Sequence, residues 1–186
     1  MSDSLATRPF VLIGARGCGK TTVALALGKL LQCEAIDLDQ VIVKTAGKNI
    51  REIFSTEGEA AFRELETQAL RDALAKESPP RATRVISAGG GAVLAEENQQ
   101  MLRDHAAAVW LQAEVATMLS RIQQDATTVH NRPPLTDLDA EAELRQLLAQ
   151  RTPIYQSVAN LIINTDHKSP EVIAEEIINW RTGMEN

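Results

Sequence analysis

Phe10-Val11-Leu12-Ile13-Gly14-Ala15-Arg16-Gly17-Cys18-Gly19-Lys20-Thr21 is the stretch that decides the fold. Its four leading apolar residues read as a short buried strand. The run behind them matches G-x-x-x-x-G-K-S/T through Gly14, Gly19, Lys20 and Thr21. A helical pattern follows over residues 22–31, with Val23, Ala24, Leu27, Leu30 and Leu31 at helical spacing. Strand, loop and helix in that order are the context in which this pattern cradles phosphates. The glycines let backbone N–H groups turn inward, and the helix N-terminus adds its partial positive charge. Gly14, Ala15, Arg16, Gly17, Cys18, Gly19, Lys20 and Thr21, with Thr22 just beyond, are the candidate contacts to ATP. Lys20 is expected to reach the β- and γ-phosphates, and the Thr21 hydroxyl to bind Mg²⁺. With glycine at about 7% of residues, the four fixed positions match by chance in roughly one chain of this size in a hundred. The loop specifies the nucleotide but not the acceptor, because a hydrolysing switch protein would share it.

Outward from the loop, strand and helix patterns alternate. Glu34-Ala35-Ile36-Asp37-Leu38-Asp39 reads as a second strand ending in acids, followed by a helix over residues 41–46 that stops at Gly47. Residues 50–76 read as two helices broken near Glu57-Gly58-Glu59, the second ended by Ser78-Pro79-Pro80. Arg84-Val85-Ile86-Ser87-Ala88 is a third strand running into Gly89-Gly90-Gly91. A helix over residues 96–105, a fourth strand Ala106-Ala107-Ala108-Val109-Trp110-Leu111 and a helix over residues 115–124 come next. Residues 125–137 hold Pro133-Pro134 and read as a loop, and residues 140–151 as a helix. Leu161-Ile162-Ile163 is a fifth strand, and Ser169-Pro170 opens a final helix over residues 171–181. Strands separated by helices imply a parallel α/β sheet covered on both faces. Ligands of such sheets sit at the carboxyl ends of the strands. Gly14, Asp37-Leu38-Asp39 and Gly89-Gly90-Gly91 all fall on that edge.

The 186 residues suit one domain. Aromatics make up 3% and the net charge is −6, which argues against base stacking and against sequence-independent nucleic-acid binding. The two cysteines, Cys18 and Cys33, are expected to be free thiols in a reducing cytoplasm, since a disulfide at Cys18 would distort the loop. Residues 1–8 lack the apolar core of a signal peptide, and no stretch approaches the ~20 apolar residues of a membrane span.

Asp37 and Asp39 alternate on a strand end and are expected to point the same way. One carboxylate could then hold a Mg²⁺-bound water and the other accept a hydroxyl proton. The plainer reading is a pair of solvated acids, the usual place for aspartate.

With these residues in hand, the chain resembles the shikimate kinase family over nearly its whole length. The motifs are Gly14 to Thr21, Asp37-Leu38-Asp39, Ile53-Phe54-Ser55-Thr56-Glu57-Gly58-Glu59-Ala60-Ala61-Phe62-Arg63-Glu64-Leu65-Glu66, Gly89-Gly90-Gly91, Arg132-Pro133 and Arg151-Thr152-Pro153-Ile154-Tyr155. The resemblance implies transfer of the γ-phosphoryl group of ATP to the 3-hydroxyl of shikimate. It implies a three-layer α/β/α fold like that of nucleoside-monophosphate kinases, with a five-stranded parallel sheet. One domain over residues 1–186 would carry substrate-binding helices at about 40–75 and a mobile lid at about 122–138. Asp37 joins Thr21 as a Mg²⁺ ligand, and Asp39 contacts the substrate hydroxyls as the candidate base. Arg63 and Arg151 grip the shikimate carboxylate, Glu66 orients Arg63, and Gly89, Gly90 and Gly91 touch the ring. Arg132 is the lid arginine that bridges ATP and substrate, while Arg121 and Lys168 lie on the adenine side. A monomeric cytoplasmic enzyme without nucleic-acid or membrane partners completes that expectation.

Some readings stay open at this level. Arg63 and Glu66 also fit an i,i+3 ion pair on an exposed helix. Phe54 and Phe62 fit either a wall against the ring or plain core. His130 fits a solvated loop histidine, having no fixed partner in the sequence. The lid departs from the family's frequent Arg-Pro-Leu-Leu in reading Arg132-Pro133-Pro134-Leu135, and the second proline stiffens it. A related kinase acting on another sugar acid such as gluconate would share the loop, and so would a nucleotide-binding regulator without catalysis.

Overall fold

The computed structural model describes residues 5–75, 84–124 and 140–184. The expected lid beyond residue 124, with His130, Arg132 and Pro133-Pro134, and the Ser78-Pro79-Pro80 stop lie outside the described residues.

β1 (Phe10–Ile13) is apolar at all four positions because both of its faces are covered. It pairs in parallel with β3 (Val85–Ser87) on one side and β4 (Ala107–Gln112) on the other. β2 (Ala35–Asp37) pairs with β3, and β5 (Leu161–Asn164) pairs with β4. The order β2-β3-β1-β4-β5 makes the expected five-stranded parallel sheet and puts the phosphate loop at its centre.

Alternation along β1 divides the core in two. Phe10 and Leu12 face α1 (Lys20–Leu31) and α8 (Pro170–Thr182), meeting Val23, Leu27, Ile173 and Ile177. Val11 and Ile13 face the other layer. There α2 (Leu38–Ala46), α3 (Ile50–Thr56) and α4 (Gly58–Ala75) contribute Leu38, Ile42, Ile53, Phe62 and Leu70. α5 (Glu96–His105) adds Leu102, and α7 (Ala140–Val158) adds Tyr155 and Val158. Each such aliphatic side chain contributes about 1.5–3 kcal/mol by leaving water. α6 (Val115–Gln124) seats Met118 in the α1 layer. A 3₁₀ turn, Ala92–Leu94, follows the triple glycine and is absent from the sequence reading.

Two elements differ from expectation. β2 ends at Asp37, not Asp39, because the Asp37 carboxylate accepts the amides of Asp39 and Gln40 and starts α2 there. Asp39 therefore sits in the first turn of a helix, and strand alternation does not relate the two acids. α7 continues to Val158 through Pro153 instead of ending at Arg151. An internal proline costs about 3 kcal/mol. Burial of Tyr155 and Val158 beyond it opposes that cost.

Candidate active site

At the end of β1, Gly14 holds φ 139° and Gly19, the residue before α1, holds φ 96°. A Cβ on Gly14 would lie 2.5 Å from the Leu111 carbonyl oxygen, so only glycine lets the chain turn there. Lys20 begins α1, and its Nζ donates to the Gly14 and Ala15 carbonyls, both at 2.9 Å. The ammonium is thus folded back over the loop at the positive end of the helix. The Thr21 hydroxyl donates to Asp37 Oδ2 at 2.7 Å, while Asp37 Oδ1 caps α2. Thr21 and Asp37 are the pair expected around Mg²⁺. Their bond uses the hydroxyl hydrogen and leaves oxygen lone pairs, the hard donors that Mg²⁺ prefers, so the residues present fit that ion.

The loop opens on a cleft of about 820 Å³, the size of a small-molecule site. Residues 16–23, Asp37, Asp39, Gly90, Arg121 and Lys168 are among its lining. Asp37 and Asp39 thus share the cleft for a reason other than strand alternation. Cys18 is buried and Cys33 half-buried, both free; burial pushes the Cys33 thiol up.

Arg63, Arg151 and the triple glycine meet beside this cleft. Arg63 Nη1 donates to Glu66 Oε2 at 2.6 Å, and Glu66 is 1% exposed, so the pair is not the exposed-helix ion pair that spacing alone allows. Arg63 Nε and Nη2 also donate to Glu59 Oε1, at 3.3 and 3.1 Å. Burial works against the Arg63 charge, but Glu66 and Glu59 outweigh it and raise its pKa. A Cβ on Gly91 would fall 2.2 Å from Arg63 Nη1, and one on Gly89 would fall 2.4 Å from Glu66 Oε1. The glycines are small because the ion pair lies against them. Gly90 in turn accepts from Arg151 Nη1 at 3.1 Å and from the Tyr155 hydroxyl. Phe62 is core, and Phe54 packs half-buried against it with ring centroids 4.8 Å apart.

On the far side, Arg121 donates to Thr165 and to the Gly17 carbonyl. Lys168 pairs with Glu176 at 2.8 Å rather than standing free. Beside them the Asp166 carboxyl is pushed up by burial. Bonds from Thr117, the Glu114 amide and Asn164, with the Arg121 charge, outweigh that and hold it below its usual range. Among the described residues no group of three or more His, Cys, Asp and Glu side chains forms a metal cage. No described helix is long and apolar enough to cross a membrane.

Sequence reasoning assigned nothing to Glu59, Tyr155 or Thr165. Tyr155 lies four residues after Arg151 and shares its helix face, a signal hidden by the break that Pro153 suggests. Thr165 carries no local signal; the topology alone carries it to the loop.

A family model described as Shikimate kinase matches residues 16–182. A shikimate kinase of Rhodopirellula baltica is 38% identical over 177 residues, covering 95% of this chain and 92% of the relative. The structure of shikimate kinase from Acinetobacter baumannii in complex with shikimate superposes with a TM-score of 0.85 at 32% identity, covering 98% of each chain. A gluconokinase from Sinorhizobium meliloti, at 15% identity and TM-score 0.51, shares the fold alone. The phosphate loop, the strand order and the match over residues 16–182 agree, and the chain belongs to the shikimate kinase family.

Proposed function

We propose that this chain transfers the γ-phosphoryl group of ATP to the 3-hydroxyl of shikimate, giving shikimate 3-phosphate and ADP. The observation that carries the reading is Gly90. Its Cα lies against the phosphate loop, where a Cβ would be 3.3 Å from the Gly14 carbonyl, and its own carbonyl holds Arg151. Donor site and acceptor clamp therefore share one wall.

The phosphate loop takes the ATP phosphates, with Lys20 exchanging its two carbonyl partners for phosphate oxygens. Thr21 and Asp37 would hold Mg²⁺, which supplies positive charge against the phosphates when bound. Asp39 accepts a hydrogen bond from the acceptor hydroxyl and is the candidate base. A loose transition state asks little of a base, so orientation is its larger contribution. Arg63 and Arg151 bind the shikimate carboxylate, a planar anion suited to guanidinium groups. The Arg63–Glu59 bond is exposed and contributes little, so a ligand carboxylate can replace it. Glu66, buried, keeps its bond and aims the guanidinium. Arg121 and Lys168 are read as the adenine side, and Arg132 as the lid residue that adds charge on closure. We read residues 1–186 as one domain, with acceptor helices at about 40–75 and a lid at about 122–138. It acts as a cytoplasmic monomer on small molecules, with no nucleic-acid or membrane partner.

The test is ADP release with ATP and Mg²⁺, using shikimate, gluconate and other sugar acids as acceptors. Turnover that depends on shikimate and is weak or absent with gluconate is expected. Turnover with gluconate alone moves the reading to a sugar-acid kinase. Nucleotide binding with no phosphorylated product from any acceptor makes it a regulator.

A further inference from the structure

Thr165 follows β5 and has no exposed surface. Its hydroxyl has two roles at once. It donates to the Cys18 carbonyl at 3.2 Å, inside the phosphate loop, and accepts from Arg121 Nη1 at 3.0 Å. Arg121 Nη2 donates to the Thr165 carbonyl at 3.1 Å, and Nη1 also reaches the Gly17 carbonyl at 3.4 Å. Three segments distant in sequence, the loop, α6 and the end of β5, therefore meet at one buried oxygen.

The anchor is itself fixed. The Thr165 N–H donates to the Gln112 carbonyl at 2.8 Å, and Asp166 accepts the Glu114 amide at 2.9 Å. An arginine on a surface helix samples many rotamers. This one is held by the fork of its guanidinium in the lining of the cleft. The Cys18 carbonyl is likewise held, by the Thr165 hydroxyl.

We propose that Thr165 is a positioning residue for the nucleotide. Its hydroxyl fixes the Cys18 peptide and the Arg121 guanidinium together, so the loop and the arginine are set before ATP arrives. It acts on nucleotide and not on acceptor, because the bonds of Arg63 and Arg151 run to Glu59, Glu66 and Gly90. The inference rests on reading the cleft as the ATP site.

The test uses Thr165→Val, which keeps the shape and removes the hydroxyl, Thr165→Ser, which restores it, and Arg121→Gln, together with the Val/Gln double variant. ADP affinity is measured by calorimetry without acceptor, beside KM for ATP and for shikimate. Thr165→Val should weaken ADP and raise the ATP KM by about tenfold, as for loss of a hydrogen bond to a charged group. The shikimate KM should stay within about twofold. Thr165→Ser should recover most of the ADP affinity. Arg121→Gln should also weaken ADP, and the double variant should lose less than the product of the single losses. Wild-type ADP affinity in Thr165→Val or in Arg121→Gln overturns the proposal. So does a serine variant as weak as the valine variant, or an equal rise in both KM values, which marks a loosened fold. If the unmutated protein binds no ADP, the nucleotide reading of the cleft itself fails. Normal ADP binding with no shikimate turnover instead removes the acceptor assignment and leaves the Thr165 proposal standing.

Discussion

Gly91 is a residue whose constraint comes from a neighbour and not from its backbone. Its φ of −100° is open to alanine, yet the added methyl would meet the Arg63 guanidinium at 2.2 Å. That neighbour is the far end of a flexible side chain, so it will move and the fold will persist. Gly91→Ala should raise the shikimate KM by about tenfold or more, the worth of a hydrogen bond to a charged group, while the ATP KM stays unchanged. Steady-state kinetics with each substrate varied in turn checks this, and an equal rise in both would place Arg63 elsewhere. Lys20 is constrained in the opposite way. Its ammonium is satisfied by two loop carbonyls and available to phosphate. Lys20→Ala should lower kcat by about 10²–10³, the scale of removing one preorganised charge at a transition state, with little change in melting temperature.

Helix starts are where sequence and structure compare most instructively. α3 begins with a capping box: the Asn49 side chain accepts the Glu52 amide at 2.9 Å, and Glu52 accepts the Asn49 amide at 2.8 Å. Asn49→Ala should destabilise the protein by about 1 kcal/mol and lower its melting temperature by roughly 2–4 °C, whereas Asn49→Asp should keep most of the cap. Thermal unfolding followed by circular dichroism distinguishes the two. The start of α2 is harder to read in sequence. An aspartate after a strand is either a last strand residue or a cap, and here one carboxylate oxygen caps α2 while the other accepts from Thr21. The phosphate loop is legible because its chemistry is local: glycines, lysine and threonine at fixed spacing between a strand and a helix. The close approach of Glu66 to Gly89 is not, because more than twenty residues separate them and only packing sets their distance. Pro153 conceals the end of α7 for a similar reason, since the burial that carries the helix past it belongs to the tertiary core.

Across the whole molecule, the parallel order β2-β3-β1-β4-β5 collects loops from distant parts of the chain on one edge. The alternation of strand and helix made that edge predictable, and with it the company of Gly14, the acids after β2 and the triple glycine. The same order puts the Gly90 peptide between the proposed nucleotide site and the proposed acceptor clamp. One side of it abuts the Gly14 carbonyl and the Arg16 amide, and its oxygen anchors Arg151 and Tyr155. We propose that a peptide so placed is a thermodynamic bridge. If ADP steadies it, shikimate meets a clamp already ordered, and the benefit runs equally in reverse. Calorimetric titrations should show shikimate binding about fivefold or more tighter to the ADP complex than to the free protein, with ADP gaining the same factor from shikimate. Unequal factors, or none, would mean that the two substrates share a wall without sensing each other through it.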